Sequence, residues 1–161
     1  MSSSGHTALG PESVTIRRMI GSDAPAALSL LEESPEASMW SRESLEESIS
    51  QWIAWAAELD AQVVGFLIGR PAGDEFEILN LAVGKKFRRR GIATKLIQTV
   101  TETARAAGVA QIFLEVRASN LPGIALYTHL AFHVCGRRKK YYRDPMEDAV
   151  LLTLNNLAQH P

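Results

Sequence analysis

The sequence predicts one domain of α/β (α+β) class built on a mixed sheet. Three observations carry this. Strand-length runs pair up as hairpins toward both ends of the chain. Helix-length stretches with apolar residues at helical spacing are interleaved with them. No repeat, low-complexity tract or linker divides the 161 residues, a length that suits a single domain. We expect residues 1–12 to be a disordered leader and 13–157 the domain.

Val14-Thr-Ile-Arg-Arg18 alternates and reads as a first strand. Ser22 and Asp23 are helix-capping types, and the Ala- and Leu-rich run 24–33 follows as a helix that Ser34-Pro35 ends. Ser41 opens a second helix over 42–51, with Glu43, Glu46 and Glu47 near its start. Residues 52–58 and 62–70 read as a hairpin turned at Asp60-Ala61. A strand over 75–83 leads into the basic loop. Ile92, Leu96, Val100 and Ala104 lie on one side of a long helix placed at 89–107, which Gly108 stops. Gln111 to Arg117 is a strand. Asn120 caps a helix over 121–130, with Pro122 in its first turn. Two strands, 132–139 and 148–154, finish the chain.

Composition excludes several classes. Hydrophobic residues at 46% and charged residues at 22% are ordinary for a globular protein. The net charge of −1 means that any anion site is local. The single cysteine, Cys135, rules out an internal disulfide framework and suits a reducing, cytoplasmic setting. No apolar run approaches the roughly 20 residues that span a bilayer, and Met1-Ser-Ser-Ser4 does not begin a signal peptide. Cys and His residues show no metal-ligand spacing, so no metal is expected. Cys135, two residues after His133, reads as a buried, inert thiol.

The informative stretch is 79–132. Arg88-Arg-Arg-Gly-Ile-Ala93 lies where a strand becomes a helix. The first helical turn leaves backbone N–H groups unpaired and carries the positive end of the helix dipole. A pyrophosphate is a natural ligand there, and Gly91 lets it approach the backbone closely. A solvated basic loop is the plainer reading. A second basic run, Arg137 to Lys140, raises a nucleic-acid backbone as a further ligand, but no aromatic stacking platform accompanies either run.

Arg88-x-x-Gly91-x-Ala93 resembles the acetyl-CoA-binding signature of the GNAT superfamily of N-acetyltransferases. Residues 78–83, 114–120, 124–127, Phe132, Tyr141-Tyr142 and 147–149 are similar, more narrowly, to the RimI-like ribosomal-protein-alanine N-acetyltransferases. The resemblance covers roughly 14–155. It implies a mostly antiparallel central sheet of about seven strands flanked by about four helices, acetyl-CoA as co-substrate and no metal.

It also implies roles. Backbone groups of Leu81, Ala82 and Val83 would pair with the pantetheine arm like an added strand, with the Val83 N–H polarising the thioester carbonyl. Arg88, Arg89, Arg90, Gly91, Ile92, Ala93 and Thr94 would cradle the pyrophosphate. Asn120 and Tyr127 would touch the cofactor. Glu115 would be the general base and Tyr127 the general acid. Trp40, Glu77, Tyr141 and Tyr142 would line the acceptor groove. The acceptor would be a basic peptide or protein N-terminus, foremost that of a ribosomal protein, with no membrane or direct nucleic-acid partner. Leu121-Pro122-Gly123 and Met39-Trp40 depart from the branch's usual pattern and bear on the substrate.

The chemistry is coherent with these residue types. An α-amine with a pKa of about 7.7–8.0 is mostly protonated at neutral pH, and only its neutral form attacks a thioester. A carboxylate on an otherwise apolar strand suits a base; the plainer reading pairs Glu115 with an arginine such as Arg117. Full proton transfer from a phenol to a thiolate is uphill by about 2 kcal/mol, so a tyrosine serves best as a hydrogen-bond donor to the leaving sulfur. By default Tyr127 is core packing. Two other readings stay open at this stage: acetylation of a small-molecule or lysine amine, and a non-catalytic acetyl-CoA-binding or ribosome-binding module.

Overall fold

The computed structural model describes residues 13–155 and Leu157. Its strands are β1 (Thr15–Arg18), β2 (Ile53–Leu59), β3 (Gln62–Ala72), β4 (Glu75–Val83), β5 (Gln111–Arg117), β6 (His133–Tyr142) and β7 (Glu147–Leu154). Its helices are α1 (Ala24–Glu32), α2 (Arg42–Gln51), α3 (Ile92–Ala106) and α4 (Leu121–His129). The leader proposed for 1–12 lies outside the described residues, as do His6 and His160. No described helix is long and apolar enough to cross a membrane.

The strands form one seven-stranded sheet in the order β1-β2-β3-β4-β5-β7-β6. All neighbours are antiparallel except β4 and β5. Alternation along the strands separates two apolar clusters. Ala54, Ala56, Phe66 and Ile68 pack with Leu30 and Leu31 of α1 and Leu45 and Ile49 of α2. Ala57, Val64, Leu67, Ile112 and Leu114 pack with α3 and with Tyr127 of α4. The sheet is thus sandwiched between two helix pairs, α1 and α2 on one face and α3 and α4 on the other.

Local chemistry accounts for the joints. Asp60 and Ala61 both take positive φ, 50° and 61°, in the tight turn between β2 and β3. The Ser41 hydroxyl accepts from the Ser44 N–H at 3.1 Å and caps α2. Asn120 Oδ1 accepts from the Gly123 N–H at 3.0 Å and caps α4. Gly108, at φ 78°, ends the chain segment after α3.

Two expectations need correction. The long helix begins at Ile92 rather than Arg89, because Arg89 and Gly91 are left-handed, with φ of 61° and 76°. Asp23 makes no side-chain bond to the start of α1. Its carboxylate turns back to accept from the Ile20 N–H and from both terminal nitrogens of Arg17, at 2.8–2.9 Å.

That pair makes a pH prediction. The bond from Arg17 holds the buried Asp23 carboxyl below the usual carboxylate range, despite the opposing effect of burial. Its contribution is therefore fully present above its unfolded pKa, about 3.9, and is lost as pH falls through the lower folded value. Asp23→Asn should cost about 2 kcal/mol at neutral pH. The gap between variant and parent in urea melts should close only below about pH 4. A gap that is the same at acid and neutral pH would show that the ion pair contributes no stability.

Candidate active site

β4 and β5 lie side by side for only a short distance. Their parallel pairing covers Glu75 to Ile78 against Gln111 to Leu114. β4 then runs on to Val83 and β5 to Arg117 with no pairing between them. The strands part where a bulge interrupts β4: Ile68 of β3 faces Asn80 and Gly69 faces Ile78, leaving Leu79 extra.

The bulge resets the alternation of β4. Before it, Phe76 and Ile78 join the α3-side cluster; after it, Leu81 and Val83 do, while Ala82 joins the α1-side cluster. The ladder to β3 fixes where the backbone points. The Gly84 N–H donates to Val64 O at 2.8 Å. Hydrogen-bonded pairs alternate from there, through Phe66↔Ala82 and Ile68↔Asn80. Leu81 and Val83 therefore turn their N–H and C=O away from β3, into the gap beside β5. An extended amide chain can pair with such groups as a strand does.

Glu115 is the first β5 residue beyond the pairing. It lies on the opposite face from Ile112 and Leu114, its side chain 13% exposed. Its carboxylate forms an ion pair with Arg138 Nε at 3.0 Å, and hydrogen bonding to it is the main cause that raises the Tyr141 phenol. The partner of Glu115 is thus Arg138 of β6, not Arg117, which bonds Glu147 at 3.3 Å and lies over the Tyr142 ring at 4.5 Å. The apolar setting suggested by the composition of β5 is replaced by a guanidinium and a phenol. The Glu115 bond raises the Tyr141 phenol above its ordinary range. Burial first, and the Glu115 charge second, push Tyr142 up to about 12. The two rings meet edge to face at 5.1 Å.

Tyr127 stands on the other face. It is 4% exposed and meets Phe132 edge to face at 5.3 Å. Burial pushes its hydroxyl well above the ordinary phenol range, so it stays protonated at neutral pH. Glu115 and Tyr127 consequently lie on opposite faces of the sheet.

The basic turn closes one end of this gap. Gly91, left-handed, precedes the first turn of α3, so the N–H groups of Ile92, Ala93 and Thr94 have no intrahelical acceptor, while that of Lys95 donates to Gly91 O at 3.0 Å. Arg89 and Arg90 are exposed, with Arg90 over the Phe87 ring at 5.5 Å; Ile92 is buried, and Ala93 and Thr94 are half-buried. Arg88 is employed differently. Its guanidinium bonds Glu33 O, Ser34 Oγ and Glu36 Oε1 at 3.1–3.2 Å, and Nε donates to Val83 O at 3.3 Å.

Among the proposed acceptor residues, Trp40 is half-buried against the α1–α2 cluster. Glu77 bonds Arg70 at 3.0 Å and lies near enough to Tyr141 for its charge to raise that phenol. Cys135 is exposed rather than buried. It falls at a bulge in β6, an edge strand whose side chains are mostly exposed, and so shares no regular face with His133. Sequence reasoning missed Arg138 and Asn80; the second is buried at 5% exposure beside Leu81.

Comparison with known proteins gives the family and the fold. Residues 24–132 match the Acetyltransferase (GNAT) family. The [ribosomal protein bS18]-alanine N-acetyltransferase of Escherichia coli K12 is 31% identical over 143 residues, covering 87% of this chain and 96% of that protein. Its Salmonella typhimurium counterpart is 32% identical over the same length. The crystal structure of the ribosomal-protein-S18-alanine N-acetyltransferase from Escherichia coli superposes with a TM-score of 0.79 at 29% identity, covering 89% of this chain and 94% of that one.

The left-handed turn can be tested by stability alone. Gly91→Ala places a Cβ at φ 76° and should cost about 1–2 kcal/mol in urea unfolding. An unshifted midpoint would show that the turn adopts another conformation without penalty.

Proposed function

The chain belongs to the GNAT family of acetyltransferases and is an N-acetyltransferase; we propose that it moves the acetyl group of acetyl-CoA to a protein N-terminal α-amine, foremost the N-terminal alanine of a small-subunit ribosomal protein. The observation that carries this reading is the position of Glu115, the first residue past the β4–β5 pairing and on the face opposite Tyr127. The substrate named for relatives at 31–32% identity over most of the chain supports the choice of acceptor.

The cofactor's phosphates sit on the backbone N–H groups from Arg89 to Thr94, helped by the local basic charge. Its pantetheine amides pair with the outward groups of Leu81 and Val83, with Asn120 at the side. The thioester then lies in the gap. The amine reaches it along the face bearing Glu115, Tyr141, Tyr142, Glu77 and Trp40. Glu115 takes a proton from the ammonium, the neutral amine then attacks, and the second amine proton passes to solvent as the tetrahedral intermediate collapses. The Val83 N–H donates to the carbonyl oxygen as it gains negative charge. Sulfur leaves toward Tyr127, whose buried, neutral hydroxyl donates a hydrogen bond to the thiolate. The raised pKa of that phenol favours hydrogen bonding over full proton transfer. The exposed Cys135 thiol fits a reducing cytoplasm.

The test is acetyl transfer to two short basic peptides, read by mass spectrometry. One carries a free N-terminal alanine; the other is blocked at the terminus and carries a lysine. Transfer should occur on the first alone, and transfer to the lysine alone would overturn the reading. Glu115→Gln should bind acetyl-CoA as the parent does and lose about a hundredfold to ten-thousandfold in turnover. Unchanged turnover would remove Glu115 as the base. Acetyl-CoA affinity should fall as ionic strength rises, because its phosphates meet exposed charges.

A further inference from the structure

Three carboxylates whose charges reach Tyr141 or Tyr142 each meet an arginine. Glu77 pairs with Arg70 at 3.0 Å, Glu147 with Arg117 at 3.3 Å and Glu115 with Arg138 at 3.0 Å. Arg117 and Arg138 are held differently. The Arg117 side chain is 19% exposed, and its guanidinium also donates to Pro145 O at 3.1 Å and to Arg143 O at 3.2 Å. Arg138 stands on the edge strand with its side chain 57% exposed. Its guanidinium carbon lies 5.6 Å from the centre of the ring of Tyr141, itself an exposed residue. The Glu115 side chain is 13% exposed, so Arg138 is the outer, solvent-facing member of the pair.

We propose that Arg138 is a specificity-determining counter-ion of the empty site, which the acceptor's ammonium group displaces from Glu115. This rests on the reading that Glu115 receives the amine. A carboxylate so little exposed has lost hydration and needs a partner to offset that loss. In the empty protein Arg138 supplies it. An amine that gives its proton to Glu115 must come within about 2.6–3.2 Å of the carboxylate. There its ammonium and the guanidinium repel each other. An ion pair with a largely exposed arginine is weak enough to exchange. The freed guanidinium can turn to solvent and stay over the Tyr141 ring, which attracts a cation. Arg117 is tied by its further bonds and has no such freedom. The exchange keeps one positive charge beside Glu115 throughout. The site therefore favours an acceptor that brings its own cation, because a neutral chain end would displace Arg138 and leave the carboxylate uncompensated.

The experiment follows the Arg138 Nε–H resonance of the isotope-labelled full chain by NMR, identified by its absence from Arg138→Lys. The protein is loaded with coenzyme A, so that no transfer occurs. It is then given the alanyl or the lysyl peptide, whichever it acetylates, or the same peptide with that amine replaced by hydrogen. The peptide with its amine should move the resonance to the position of a free arginine side chain, and the des-amino peptide should leave it in place. In Arg138→Gln the acceptor KM should fall by about twofold to fivefold while kcat at saturating acceptor holds. A resonance unmoved by the accepted peptide, or moved equally by the des-amino one, would overturn the exchange, as would an acceptor KM that rises in the variant. The resonance belongs to the parent protein, so it decides even where Arg138→Gln is unstable. Transfer to the lysyl peptide alone, with the resonance displaced by it, would sink the α-amine reading and keep the exchange. Transfer to neither peptide would overturn both.

Discussion

A parallel strand pair that ends early is the constraint on which the site depends. β4 and β5 are held together from Glu75 to Ile78 and then released. Parallel neighbours at the centre of a sheet ordinarily satisfy each other's backbone along their length. Here the bulge at Leu79 turns β4 before that can happen. The outward amides of Leu81 and Val83 are left beside a gap. The turn at Gly91 stands at one end, Glu115 at the point of divergence, and Tyr127 on the far face.

The two faces divide the chemistry. α1 and α2 cover β2 to β4, and α3 packs against β1 to β4 on the other side. The face of β5 that carries Glu115 is met instead by Arg138 and Tyr141 from β6. A carboxylate there is within reach of solvent and of an incoming chain end, while the phenol of Tyr127 is kept dry and neutral. Glu115 and Tyr127 are separated by the thickness of one sheet. In the proposed reaction such separation keeps the proton taken from the amine and the hydrogen bond to the thiolate on different groups.

Much of this was legible in the residues. The limits of β4 and β5 coincide with the expected 75–83 and 111–117, because both are short apolar runs bounded by turn residues. The caps at Ser41 and Asn120 are local chemistry, which sequence states directly. The start of α3 was not legible, since nothing in Arg88-Arg-Arg announces that Arg89 is left-handed. The bulge was hidden because Ile78-Leu-Asn-Leu-Ala-Val83 is apolar enough to satisfy either face in either register. Arg138 was missed as the partner of Glu115 because β6 reaches β5 only through β7, an order set by the whole sheet. Cys135 was misread for the same reason: its strand is apolar only briefly and proves to be the exposed edge.

The central claim is that the β4–β5 gap holds the thioester between Glu115 and Tyr127. A crystal structure with a bisubstrate ligand, coenzyme A joined through an acetyl bridge to the amine of an alanyl peptide, tests it most directly. The account predicts the pantetheine arm paired with Leu81 and Val83, the bridge in the gap, and the alanine nitrogen on the Glu115 side. A ligand bound with its bridge outside the gap, or with the peptide entering from the Tyr127 face, would contradict it.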